Sequence, residues 1–442
     1  MKKQTLFLAP LIFLFFYPFP VKAQFFKIDT EFYSNSLKEI RKVSIYLPHN
    51  YYQEQEAYYP TVYFLHGWGG NQNALDDRQM LMSHLLTSGQ IQPMIVVCAD
   101  NGCQPFGTGV YVNSVITGNF EDFTILDLIP WVEDNFRAIP QKEARGLIGQ
   151  SLGGYGAFRF GILHKDKFRA ISSHAAQVNY DLWMPAVRQM LMLENSGPPY
   201  FYNFYGFMND ESMGPNGFFT RSLFLASSGF SPDPNSNQTY INPQIIQFPF
   251  NQYCQLLDSV YAKWKAFNIP TMLSNLSPAD SVSILYGCGL YDETMAYFPN
   301  FALQDTLAHH NLSYEFISHK AGHAMPETYF TRSMIFLDSL LLDYSIYTKD
   351  QAPFSDEILI ETMPNPFSEY VDVSFVPDNS ADALIEIADL KGAIVKHMHK
   401  QVKGKVRNRI RFNTSELSPG IYFIRVTSGR FTGSEKIIRL EG

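Results

Sequence analysis

Short apolar-rich runs closed by turn residues mark the first three quarters of the chain. Residues 61–65, 145–148, 282–286 and 314–318 are such runs, with the length and the β-branched or aromatic content of strands. Other stretches carry helical spacing. Ile125, Leu128, Ile129 and Val132 share one helical face, residues 301–310 are amphipathic, and residues 154–160 suit a helix directly after the 145–148 run. Beyond Leu342 the pattern changes. Residues 343–353 are polar and aperiodic, and from near Glu357 apolar and polar residues alternate, as in Val371, Val373 and Phe375 and again in 421–426. Turns at Gly392, Gly404, Gly420 and Gly429 between these runs predict a small β-sandwich. The chain is therefore divided into residues 24–343, a linker at 344–356 and a β domain at 357–442, with an insertion or cap at about 180–275 in the first part.

Within the first part, Gly149-Gln150-Ser151-Leu152-Gly153 links the 145–148 strand to the following helix. A serine on such a turn is a candidate nucleophile, because flanking glycines permit the strained backbone and the helix start favours developing negative charge. A serine hydroxyl needs an imidazole to take its proton and an acid to orient that imidazole. Asp292, in the turn after the 282–286 strand, is the candidate acid, and His323, in the loop after the 314–318 strand, the candidate base. Glu293 is the neighbouring alternative acid. His319 is expected to be a solvated turn residue, His309 and His310 helix-end surface residues, and Asp305 part of a solvated helix face. Hydrolysis also needs two donors for the oxyanion. Leu152 N–H supplies one; the other comes from the glycine-rich loop after residues 61–65, His66-Gly67-Trp68-Gly69-Gly70-Asn71, through Trp68 N–H or that of Gly67. Tyr155 and Tyr291 are the candidate substrate contacts.

These residues resemble a group of α/β-hydrolases known as the putative esterases, which includes carbohydrate esterase family one with its feruloyl and acetyl-xylan esterases, S-formylglutathione hydrolases and mycolyltransferases. Arg41-Lys42-Val43-Ser44-Ile45-Tyr46-Leu47-Pro48, the His66 loop, Tyr111-Val112-Asn113-Ser114, Gly118-Asn119-Phe120-Glu121-Asp122-Phe123, the Ser151 elbow and the Asp292 and His323 loops carry the resemblance over roughly residues 28–343, more weakly over 180–275. It implies an α/β-hydrolase fold with a mostly parallel central sheet. It further implies the roles given above for Ser151, Asp292, His323, Trp68 and Leu152. Glu121 and Asp122 are expected to be structural, at the start of a helix. The last 85 or so residues resemble the C-terminal sorting domain of the type IX secretion route, through Pro364-Asn365-Pro366-Phe367, Asp389-Leu390-Lys391-Gly392, Leu417-Ser418-Pro419-Gly420-Ile421-Tyr422 and Lys436-Ile437-Ile438. That implies export across an outer membrane with the secretion machinery as partner.

Composition places the chemistry outside the cell. Met1-Lys2-Lys3, an apolar stretch at 6–16 and Val21-Lys22-Ala23 form a secretory leader, with cleavage expected after Ala23. No run approaches the ~20 apolar residues of a membrane-spanning helix. The net charge is −8, while residues 357–442 hold 11 acidic and 12 basic residues, so the first part is acidic and disfavours nucleic acid. Lys403, Lys405, Arg407, Arg409 and Arg411 fall at strand spacing, as on a solvated sheet edge. Of the four cysteines, Cys98 and Cys103 are close enough in sequence to suggest a disulfide. No metal spacing or phosphate loop occurs, so no cofactor is expected. Aromatics make up 15% of the chain and crowd residues 200–230, where a cap over the site would suit sugar faces or phenolic acyl groups. The expected function is a secreted serine esterase acting on feruloyl or acetyl groups of plant cell-wall polysaccharide. The alternatives are an acyltransferase of the same fold and a non-catalytic surface glycan-binding protein.

Overall fold

The computed structural model describes residues 25–209, 217–345, 360–377, 381–390, 393–404, 406–428 and 431–440. The expected leader and most of the linker lie outside them. Contacts divide the chain into one unit up to Asp350 and another from Gln351.

In the first unit the apolar runs build one eight-stranded sheet. Its strands are β1 (Phe26–Ser34), β2 (Glu39–Leu47), β3 (Thr61–Leu65), β4 (Ile95–Ala99), β5 (Arg145–Gln150), β6 (Ala170–His174), β7 (Ser283–Gly289) and β8 (Tyr314–His319), in the order β1-β2-β4-β3-β5-β6-β7-β8. β2 runs antiparallel to β1 and β4, and the pairs from β4 to β8 are parallel. This is the α/β-hydrolase arrangement. Every residue of β3 and β4 is buried, as strands covered on both faces require. Alternate residues divide between two cores. Tyr63 and Leu65 pack with Phe158 and Phe160 of α2 (Leu152–Leu163), whereas Val62 and Phe64 pack with Met82 of α1 (Gln79–Thr87) and Phe330 of α6 (Glu327–Asp338). The remaining long helices are α3 (Tyr180–Glu194), α4 (Phe218–Phe230) and α5 (Tyr297–His309).

Three details revise the local expectations. Gly287, Cys288 and Gly289 continue β7 instead of opening the turn, because they pair with Ile317, Ser318 and His319 of β8. All four cysteines are free. Cys98 is buried within β4 with its thiol donating to Asn71 O, and the Cys103 thiol donates to Thr117 O, so the expected disulfide is absent. Glu121 is placed by more than its position at a helix start. Its carboxylate accepts from Arg159 Nη2 at 2.7 Å and bonds His164 Nε2 at 2.8 Å, with side chains of the Arg pair 11–12% exposed. Burial would raise this carboxyl, but His164 and Arg159 outweigh burial and hold it lowered. Its contribution to stability is therefore present above the unfolded carboxyl's pKa and lost as pH falls through the lower folded value. Glu121→Gln is expected to cost about 3 kcal/mol in urea unfolding at pH 7, since it leaves Arg159 without its counter-charge, and the difference from wild type should shrink towards pH 3.

The second unit has a three-stranded and a four-stranded sheet. β9 (Ile360–Met363), β10 (Tyr370–Phe375) and β13 (Asn408–Asn413) form the first in the order β9-β10-β13. β11 (Ala381–Asp389), β12 (Ile394–Val402), β14 (Gly420–Ser428) and β15 (Phe431–Arg439) form the second in the order β12-β11-β14-β15. Val371, Val373 and Phe375 from one sheet share a core with Ile385, Ile424 and Val426 from the other, as in a sandwich. β13 is an edge strand. Its Arg409 and Arg411 both donate to the buried Asp372, and Arg407 pairs with Glu361, while Lys405 lies outside the described residues.

Candidate active site

Ser151 stands between β5 and α2 with φ 56° and ψ −119°. A non-glycine residue keeps such a backbone only where its surroundings impose it, at a cost of about 1–3 kcal/mol. Here Ser151 N donates to His174 O at 2.8 Å, and Tyr155 N donates to Ser151 O at 3.0 Å. The turn is also so tight that two positions admit no side chain. A Cβ on Gly149 would lie 2.0 Å from Gly153 O, and one on Gly153 would lie 1.9 Å from Leu65 O. Gly153→Ala would force β5, α2 and β3 apart. It is expected to destabilise the fold by more than about 3 kcal/mol, seen as loss of soluble protein or a melting temperature lowered by several degrees.

The ends of three strands bring three side chains together. His323 Nε2 lies 2.7 Å from Ser151 Oγ, and His323 Nδ1 lies 2.9 Å from Asp292 Oδ2. One neutral tautomer serves both bonds, with Nδ1–H donating to the carboxylate and Nε2 accepting from the hydroxyl. Asp292 is wholly shielded while the His323 side chain is 21% exposed, so the imidazole alone can exchange protons with a bound molecule. Burial would raise the Asp292 carboxyl. The His323 hydrogen bond and charge, with the Thr294 hydrogen bonds, outweigh it and hold the group at about 2. Thr294 donates twice to Asp292 Oδ1, from N at 2.8 Å and from Oγ1 at 2.6 Å, and the Cys288 thiol donates to Oδ2 at 3.3 Å. Glu293 has a different task from the one its sequence position suggests: its carboxylate accepts from His323 N at 2.9 Å and so fixes the loop.

The loop after β3 lies against the serine, for a Cβ on Gly67 would sit 3.2 Å from Ser151 Cβ. His66 is buried and holds the loop, with Nδ1 2.8 Å from Gly67 O and Nε2 accepting from Asn101 N at 3.1 Å. Those two bonds require a neutral ring, in keeping with the lowering of its pKa by burial. Gly67, Trp68, Ser151, Leu152 and His323 open onto one cavity of about 250 Å³. Trp183 of α3 and Phe218 of α4 line its other side, so the insertion supplies part of the wall. Tyr155 lines it too, with its hydroxyl donating to Phe267 O. Tyr291 is 73% exposed and is not among the lining residues. His309 and Asp305 are exposed on α5.

His319 departs from the solvated turn expected of it. It stacks on the buried His174 with ring centroids 5.1 Å apart and the two Nε2 atoms at 2.8 Å. Burial and the neighbouring His319 push His174 down to about 3. Nothing near His319 in sequence signals this pairing, because His174 lies 145 residues away. Gln177 is likewise brought to the site only by the fold.

Residues 34–210 match the family model described as "Putative esterase", and residues 362–440 match the secretion system C-terminal sorting domain. An esterase of Mycobacterium tuberculosis (strain ATCC 25618 / H37Rv) is 32% identical over 133 residues, 30% of this chain and 28% of that protein. The endo-1,4-beta-xylanase/feruloyl esterase of Xylanibacter ruminicola is 31% identical over 129 residues, 28% of this chain and 18% of that protein. The match thus spans less than a third of these relatives. Among solved structures, a ferulic acid esterase covers 72% of this chain with all of its own length at 19% identity and a TM-score of 0.48. An S-formylglutathione hydrolase from Agrobacterium tumefaciens covers 72% of this chain and 96% of its own at 12% identity and a TM-score of 0.46. Among the described residues no helix is long and apolar enough to cross a membrane. The sorting domain marks the protein for export to the cell surface or beyond. Residues 34–210 are thus similar in sequence to the putative esterase family, and residues 362–440 to the secretion system C-terminal sorting domain.

Proposed function

We propose that the protein is an exported serine esterase that hydrolyses carboxylic esters, with feruloyl or acetyl groups on plant cell-wall polysaccharide as its substrates. The observation that carries this reading is the unbroken hydrogen-bond chain from Ser151 through His323 to Asp292, opening onto a cavity. In the proposed cycle His323 Nε2 takes the Ser151 proton as Oγ attacks the ester carbonyl. The tetrahedral oxyanion is held by the backbone N–H groups of Leu152 and Trp68, and the imidazolium returns the proton to the departing alkoxide. Water, deprotonated by the same imidazole, then releases the acid from the acyl-enzyme. The ring-lined wall favours the aromatic acyl group over acetyl, because stacking and apolar burial reward a ring and leave acetyl little to touch.

Mixing the protein with excess p-nitrophenyl acetate tests the mechanism. A burst of p-nitrophenol stoichiometric with protein, and an acetylated peptide containing Ser151 in the quenched reaction, are expected. Turnover with the acyl label on another residue, or with none, sinks the Ser151 cycle. Release of acid from methyl ferulate and from acetylated xylan then ranks the two acyl groups.

A further inference from the structure

Several polar groups of the cavity wall are occupied within the protein. Trp68 Nε1 donates to Phe106 O at 2.8 Å, Trp183 Nε1 to Thr294 O at 2.9 Å, and the Ser222 hydroxyl to Phe218 O at 2.7 Å. Gln177 stands apart. It lines the same cavity, yet its Oε1 is buried and has no hydrogen-bond partner. The residue sits just past the end of β6, on the segment whose His174 carbonyl anchors Ser151 N, so its backbone is held close to the serine turn. Buried polar atoms are satisfied in nearly every native structure, so an amide with a shielded, unpartnered oxygen, in a residue that lines a cavity, gains by turning towards a partner that fills the cavity.

We propose that Gln177 is a specificity-determining residue that selects a single-ring aromatic acyl group bearing a ring hydroxyl over the same group without one. The inference rests on the ester-hydrolase reading of Ser151. A hydroxyl both donates and accepts, so it satisfies the amide whichever way the amide is turned, through Oε1 or Nε2. The rings of Trp68, Trp183 and Phe218 supply the apolar contact for an aromatic acyl group. A cavity of about 250 Å³ is at the small end for ligand sites, with room for one ring rather than a run of sugars. An unsubstituted ring would bury the Gln177 amide without compensation, and sites built to hydrogen-bond a hydroxyl discriminate strongly against analogues that lack it.

Calorimetric titration of the full protein with free acids tests this without requiring turnover. Cinnamate hydroxylated at ring position 3 or 4, whichever binds more tightly, is expected to bind about ten- to a hundredfold more tightly than cinnamate. In Gln177→Met that ratio should fall to within about threefold. Equal affinities in the wild type, no binding of either acid, or a ratio that survives in Gln177→Met would overturn the proposal. The wild-type series decides alone if the variant does not fold. A protein that shows the hydroxyl preference but hydrolyses no ester refutes the esterase reading and keeps the role of Gln177, whereas rapid hydrolysis with no preference does the reverse.

Discussion

Ser151→Ala is expected to lower kcat/KM for p-nitrophenyl acetate and methyl ferulate by roughly 10⁴- to 10⁶-fold. The magnitude follows from removing the atom that forms the acyl bond, which leaves only oxyanion stabilisation and binding to act on water. The fold should be unaffected, because the hydroxyl's hydrogen bond is to His323 and alanine accepts the φ of 56° about as well as serine does. Matched melting curves for variant and wild type, alongside initial rates, separate a chemical loss from a structural one. A variant that keeps a tenth of the wild-type rate removes Ser151 from the mechanism.

Asp292→Asn comes next, with an expected fall of about 10⁴-fold in kcat. The carboxylate accepts from His323 Nδ1–H, and that bond keeps Nε2 free to take the serine proton. An asparagine can turn its NH₂ towards Nδ1, which favours the opposite tautomer and points an N–H at Ser151. The variant should still bind hydroxycinnamates, so affinity retained with turnover lost is the diagnostic pair. The pH dependence gives a second check. Because Asp292 is held at about 2, it stays ionised throughout the working range, and the acid limb of the wild-type rate profile cannot come from it. A carboxyl lowered by folding adds stability that is complete above its unfolded pKa and lost as pH falls towards 2. The wild type should therefore lose stability relative to Asp292→Asn between about pH 4 and pH 2.

Much of this arrangement is legible in local sequence. Thr61–Leu65 is a strand to the residue, because an apolar run bounded by Pro60 and the His66 loop leaves no other choice. Ser151, Asp292 and His323 are legible for a related reason: each lies just beyond a strand, where an α/β sheet collects its chemistry. What local sequence does not carry is set by partners far along the chain. β7 extends through Gly289 because β8 pairs with it, and His319 is drawn from solvent by His174. Glu293 and Thr294 look like spare polar residues of a turn until His323 and Asp292 stand beside them. The Cys98 and Cys103 thiols are close in sequence but are taken up by different backbone carbonyls. Gln177 has no motif at all, and only the cavity singles it out.

The hydrogen bond between Ser151 and His323 spans 172 residues of sequence, and the histidine sits beyond the edge strand of the sheet. No shorter segment of the chain holds both groups, and an extended chain holds them far apart. A chain that has folded only as far as β7 therefore holds Ser151 without the partner that His323 supplies. The pair forms only when β8 docks beside β7 and carries the His323 loop with it.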